Sequence, residues 1–188
     1  MNVLIVFGTV EGQTRKIAEF AQNLAEEAGH TVTLFDAADK TAPLSFDGID
    51  KVVLAASVHE RRHPATFEVV LSANRADLAA RDTLMLSVSL SAAFEDGMEE
   101  AREYVTEMEM RTRFKPDQHA LVAGAVRTSS YDYFATQVLR HVVLRDRAYD
   151  PAAGEHEFTD WEALKDVLTA FLSRDPASRK ARGKASSG

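Results

Sequence analysis

The chain has 188 residues, 45% hydrophobic and 27% charged, with 22 Lys+Arg against 29 Asp+Glu and a net charge of −7. That balance excludes a chain too polar to bury a core, and the length suits one domain of ordinary size. There is no cysteine, which excludes disulfides, thiolate metal sites, cysteine nucleophiles and Cys-ligated iron–sulfur clusters.

The charge is unevenly placed. Residues 173–188 hold five cations (Arg174, Arg179, Lys180, Arg182, Lys184) and one acid, Asp175, a net +4. The first 172 residues hold 17 basic and 28 acidic side chains, a net −11. An acidic body lacks the clustered cations that phosphate backbones need, so no nucleic-acid partner is expected. The expected organisation is a domain over 1–172 and a basic, Ser/Ala/Gly-rich, disordered tail over 173–188. The opening Met1-Asn2-Val3-Leu4-Ile5-Val6-Phe7 lacks a basic n-region and a cleavage site, and no apolar run reaches the ~18 residues of a spanning helix. A cytoplasmic location is expected. The basic tail adds a candidate peripheral contact with an anionic membrane surface.

In chain order, Asn2–Phe7 is a continuous apolar run that suits a strand buried on both faces. Gln13–Ala28 carries Ile17, Phe20, Ala21 and Leu24 at helical spacing, and Gly29 closes it. Thr31–Phe35 and Lys51–Ala56 read as strands two and three. Pro64–Ala73 reads as a helix with Pro at its start. Thr83–Leu90 is a fourth strand, Phe94–Met110 a charged amphipathic helix, Ala120–Ala125 a fifth strand and Tyr133–Leu144 a helix. Thr159–Leu172 is a last helix, in which Thr159 and Glu162 form a capping box. This alternation predicts an α/β, three-layer, doubly wound parallel sheet of five strands, order 2-1-3-4-5. Between strand five and the last helix, residues 126–158 form an elaborated segment far longer than a minimal connection.

Phe7-Gly8-Thr9-Val10-Glu11-Gly12-Gln13-Thr14 lies directly after strand one and opens helix one. In such a sheet, ligands bind at the carboxyl ends of the strands. A helix N-terminus there offers free N–H groups and a positive dipole end, Thr9 and Thr14 add hydroxyls, and Gly12 permits close backbone approach. The same residues also read as an ordinary capped helix start. The stretch is neither a P-loop nor a dinucleotide fingerprint.

Thr9-x-x-Gly12-x-Thr14 after a first strand resembles the FMN-phosphate loop of flavodoxins, with Glu11 where that family has a second hydroxyl. Glu11-Gly12-Gln13-Thr14-Arg15-Lys16-Ile17-Ala18 is more similar to the bacterial menaquinone-dependent protoporphyrinogen IX dehydrogenases, a flavodoxin-like family. So are Val53–Val58, Ser87–Leu90, Val122–Arg127 and Phe158–Glu162. The resemblance spans residues 2–172 in order.

The resemblance implies an FMN oxidoreductase that oxidises protoporphyrinogen IX to protoporphyrin IX and passes electrons to menaquinone or ubiquinone. It implies three cofactor loops: Thr9, Val10, Glu11, Gly12, Gln13 and Thr14 for the phosphate; Ser57, Val58 and His59; and Ser87, Val88, Ser89, Leu90 and Ser91 beside the ring. His59 and Arg127 are the catalytic candidates. Arg127, Tyr131, Arg61 and Arg62 are candidates for the substrate's carboxylates and walls, Arg being suited to a bidentate grip. The elaborated segment adds Tyr133, Phe134, Arg140, Arg145 and Arg147. His59 and His63 lack a carboxylate-rich partner set, so no metal is expected, and both read by default as surface histidines. A homodimer is a candidate assembly. A flavodoxin-type electron carrier, a flavodoxin-like quinone reductase and a flavin-free partner-binding module stay open as alternatives.

Overall fold

The computed structural model describes residues 1–127 and 155–175. Five strands, β1 (Asn2–Gly8), β2 (Thr31–Asp36), β3 (Lys51–Ser57), β4 (Asp82–Ser89) and β5 (Gln118–Ala123), form one sheet of order β2-β1-β3-β4-β5. Every pairing is parallel. The helices are α1 (Gln13–Glu27), α2 (Ala65–Ala73), α3 (Arg75–Ala79), α4 (Met98–Thr112) and α5 (Trp161–Leu172). The expected strand order stands.

The two sheet faces follow from the two-residue side-chain period of a strand. Val3, Ile5 and Phe7 of β1 point to one side, where they pack with Ile17, Ala18 and Ala21 of α1 and Leu164, Leu168 and Phe171 of α5. Leu4 and Val6 point to the other side, against Phe67 and Leu71 of α2, Leu78 of α3 and Val105 and Met108 of α4. Because helices cover both faces, the inner strands β1 and β3 are apolar along nearly their whole length, while the edge strand β2 alternates exposed threonines with apolar residues. Each such Leu or Phe contributes about 1.5–3 kcal/mol by leaving water.

Four local boundaries differ from expectation, each for a visible reason. Asp160, not Thr159, caps α5: its Oδ1 accepts from the Ala163 N–H at 3.0 Å. Thr159 is engaged elsewhere, donating to the Ala123 carbonyl (2.7 Å) and accepting from Gln13 Nε2 (2.9 Å). Helix α4 starts at Met98 because Phe94 is extended (φ −128°, ψ 142°) and tight turns at Ser91–Ala93 and Glu95–Gly97 precede it. Strand five ends at Ala123, and Ala125–Arg127 (β6) instead pairs antiparallel with Glu155–Glu157 (β7). The short α3 follows α2 directly, where no separate helix is expected. The expected helix Tyr133–Leu144 lies outside the described residues. Among the described residues, no helix is long and apolar enough to cross a membrane.

Candidate functional site

The loops after β1, β3 and β4 converge at the carboxyl edge of the sheet, with the start of β6 beside them. They line an open cleft with about 470 Å3 of empty space, counting the part open to solvent. This is where a doubly wound fold receives ligands.

The first loop is built on Thr9 and Gly12. Thr9 Oγ1 accepts from the Gly12 N–H at 2.9 Å, which folds the loop back over the start of α1. Gly12 sits at φ 94°, ψ −14°, a left-handed conformation that costs a side-chain-bearing residue. No side chain caps α1, and the Arg15 N–H turns back to the Gly12 carbonyl at 3.1 Å, so the N–H groups of Gln13 and Thr14 are the ones available to a ligand. Gln13 and Thr14 follow, 7% and 0% exposed. Thr14 Oγ1 and Gln13 Oε1 are buried without a hydrogen-bond partner among the described residues. The adjacent cations are turned to other work. Arg15 pairs with Asp36 (2.7 Å) and lies over the Phe7 ring, and Lys16 pairs with Glu155 (3.1 Å) and Glu157 (3.5 Å). The seat therefore offers hydroxyls and backbone N–H groups.

The second loop begins at Ser57. The Val58 N–H donates to the Val88 carbonyl at 2.7 Å, tying this loop to β4. Ser57, Val58 and the exposed His59 line the cleft, and Ser57 Oγ is a further buried, unpartnered atom. His63 is not at the surface as expected. It is 1% exposed, and its Nε2 lies 3.0 Å from Ser87 Oγ. Burial holds its pKa down to about 4; Glu68 raises it and Arg111 lowers it further. Glu68, also buried, receives Arg62 at 2.7 Å and Arg111 at 2.9 Å. Burial pushes the Glu68 carboxyl up, but the hydrogen bonds from Arg111 and Arg62 outweigh it and leave its pKa below the ordinary value.

On the third side, Val88, Ser89 and Leu90 line the cleft. Ser87 and Ser91, expected beside them, point elsewhere: Ser87 to His63, and Ser91 to Glu100 on α4 at 2.9 Å. Arg61 and Arg62, expected as substrate cations, are held by carboxylates, Arg61 by Glu100 and Glu103 and Arg62 by Glu68. Arg127 lies in β6 opposite Glu155; Tyr131, Tyr133, Phe134, Arg140, Arg145 and Arg147 fall outside the described residues. Among the described residues there is no cluster of metal-ligating side chains.

Two cleft residues escaped the sequence reading, Gly124 and Ala125. Their signal was the Val122–Arg127 stretch after strand five, taken there as family likeness. The Gly124 N–H donates to the Ser89 carbonyl at 3.1 Å, and the Phe158 N–H to the Gly124 carbonyl at 3.0 Å. This glycine thus joins the third loop to the end of β7.

Comparison with known proteins agrees with this geometry. Protoporphyrinogen IX dehydrogenase [quinone] from Escherichia coli K12 is 25% identical over 165 residues, covering 87% of this chain and 91% of that one. The protein of the same name from Leishmania major is 23% identical, covering 90% of this chain and 74% of that one. Among solved structures, oxidised flavodoxin 1 from Bacillus cereus superposes with a TM-score of 0.56 at 12% identity, over 93% of this chain and 99% of that chain. Oxidised flavodoxin 2 from the same organism gives 0.55 at 15%, over 91% and 97%. The flavodoxin domain model matches residues 4–151; with the sheet order and the three-loop cleft, this chain belongs to the flavodoxin domain family.

Proposed function

We propose that the cleft binds FMN and that the protein oxidises protoporphyrinogen IX to protoporphyrin IX with a quinone as electron acceptor. The observation that carries the cofactor reading is Thr14 Oγ1: fully buried, unpartnered, and at the open N-terminus of α1. A buried hydroxyl without a partner costs about 1–3 kcal/mol, and a phosphate oxygen there removes that cost. Gln13 Oε1 supplies a buried acceptor for a ligand hydroxyl, and Ser57 Oγ a third polar atom beside the ring slot. The substrate reading rests on the names of the relatives that align along most of the chain.

When bound, FMN supplies the hydride chemistry. The chain's own residues position and enclose. The Thr9–Thr14 loop and the N-terminus of α1 hold the phosphate. Val58, tied to β4, and Val88–Leu90 bound the ring slot. The described cleft lining contains no Phe, Tyr or Trp. Each two-electron step on a porphyrinogen also releases a proton. His59, exposed at the cleft edge, is the described group suited to accept it. From its place in the sequence after strand five, Arg127 is proposed as the cation for a propionate of the substrate.

An anaerobic experiment decides the reading. The FMN-saturated protein is mixed with protoporphyrinogen IX, and then with a menaquinone analogue. Bleaching of the flavin, porphyrin fluorescence and return of the yellow colour on adding quinone are expected. A bound flavin indifferent to the porphyrinogen would overturn the substrate reading and favour an electron carrier. No bound flavin would overturn the cofactor reading too.

A further inference from the structure

The second loop contains a turn that its sequence disfavours. Glu60 and Arg61 sit at φ 48° and 63°, and His59 and Arg62 exchange backbone hydrogen bonds of 2.9 and 3.0 Å around them. Two-residue turns with positive φ at both centres favour Asn-Gly, because a Cβ is strained there. The conformation persists only if its surroundings hold it.

Helix α4 supplies the hold. At the tip of the turn, the Arg61 guanidinium pairs with Glu100 Oε1 and, at 3.5 Å, with Glu103 Oε2. It also lies 5.4 Å from the centre of the Tyr104 ring. The other oxygen of Glu100 accepts from Ser91 Oγ at 2.9 Å, and that hydroxyl is 3.3 Å from Tyr104 Oη. One carboxylate thus grips the second loop with one oxygen and the third loop with the other. A side chain at Gly97 would run into the Ser91 carbonyl oxygen, so α4 also seats closely on the third loop.

We propose that Glu100 is a positioning residue: it clasps the second loop to the third and sets the slot between them. Its functional consequence rests on the FMN reading of the cleft. A single exposed ion pair contributes little, and Arg61 and Glu100 are 56% and 40% exposed. Here, however, the carboxylate serves two loops, the guanidinium is also stacked, and the turn they hold is intrinsically unfavourable. Without the clasp the turn spends more time in other conformations, and affinity falls by the fraction of time lost.

The test uses the full chain with Glu100→Ala, Glu100→Gln and Arg61→Met. Glu99→Gln, an exposed neighbour on α4, is the control for the charge change in Glu100→Gln. Two quantities are read: amide exchange at residues 59–62 in the FMN-free protein, and FMN affinity by quenching of flavin fluorescence. Exchange of the Arg62 N–H about tenfold faster and FMN binding about tenfold weaker are expected for Glu100→Ala and Arg61→Met. Glu100→Gln should fall between these and the parent, and Glu99→Gln should match the parent. Unchanged exchange would overturn the clasp. Faster exchange with unchanged FMN affinity would overturn its role in positioning. Faster exchange in a protein whose parent takes up no FMN would uphold the clasp and overturn the cofactor reading instead.

Discussion

Thr14 buries its hydroxyl completely without giving it a partner, and that makes it the most diagnostic single residue. Its two plausible roles call for opposite outcomes. If the hydroxyl only filled space in the fold, Thr14→Ala would leave FMN affinity alone. If it waits for a phosphate, Thr14→Ala removes an unpaired polar atom from the ligand-free protein and a hydrogen bond from the complex. The expected result is a ligand-free stability that is unchanged or slightly raised, and FMN binding about tenfold weaker, the worth of one hydrogen bond of about 1–1.5 kcal/mol. Thermal unfolding with and without FMN, together with a fluorescence titration, reads both. Lower ligand-free stability with unaltered affinity would reassign Thr14 to the core.

At the scale of elements, the least obvious joint is between β3 and α5. Lys51 opens β3 and is fully buried. Its Nζ donates to the carbonyls of Phe171 (2.6 Å), Leu172 (3.3 Å) and Arg174 (2.5 Å), and lies over the Phe171 ring. The carbonyls of Phe171 and Leu172 are orphans at the C-terminus of α5, where a cation is also favoured by the dipole. Burial lowers the lysine's pKa, opposed by Asp82. Lys51→Met keeps the apolar stem and removes the donor, so it should lower stability by about 2–4 kcal/mol. Urea unfolding measures this, and amide exchange over 168–174 should rise first. A loss under about 0.5 kcal/mol would show that water replaces the ammonium at no cost. The same joint shows what a sequence conceals. Strand one was legible because a parallel strand buried on both faces is a short continuous apolar run, strand two because its β-branched residues alternate, and α1 because of its 3.6-residue spacing. The phosphate loop was legible because turn chemistry and helix start coincide in eight consecutive residues. Lys51, His63 and the Thr159–Gln13 link were not: each depends on a partner far away in sequence, and nothing local marks a lysine at a strand start or a histidine in a loop as buried. Thr159 even carried the local pattern of a cap, and lost that role to Asp160 because tertiary partners claimed its hydroxyl.

For the whole molecule, the polar groups behind the second loop couple stability to pH. His63 is enclosed between β4 and α2, hydrogen-bonded to Ser87, with Phe67, Glu68 and Arg111 nearby. Folded, its pKa is about 4; its ordinary value is 6.5. Between those values the unfolded chain binds a proton that the folded chain refuses, so protons favour unfolding and stability rises with pH. The penalty is absent above about pH 6.5, grows as pH falls, and is complete near pH 4, with a ceiling of about 3 kcal/mol. Glu68 acts later in acidification. Its lowered pKa gives stability that is fully present above the ordinary carboxylate value of 4.5 and is lost as pH falls from there through its folded pKa. The two can therefore be separated by one substitution. Glutamine sets an amide nitrogen where Nε2 stands and cannot titrate, so His63→Gln should keep the Ser87 contact and flatten the stability profile between pH 6.5 and 4, with the acid limb of Glu68 intact. Urea unfolding of both proteins at half-unit pH steps reads the difference. Parallel profiles would mean that His63 takes up its proton without unfolding, as it would if the second loop opened locally; exchange of the 59–62 amides at pH 5 would then rise while global stability held.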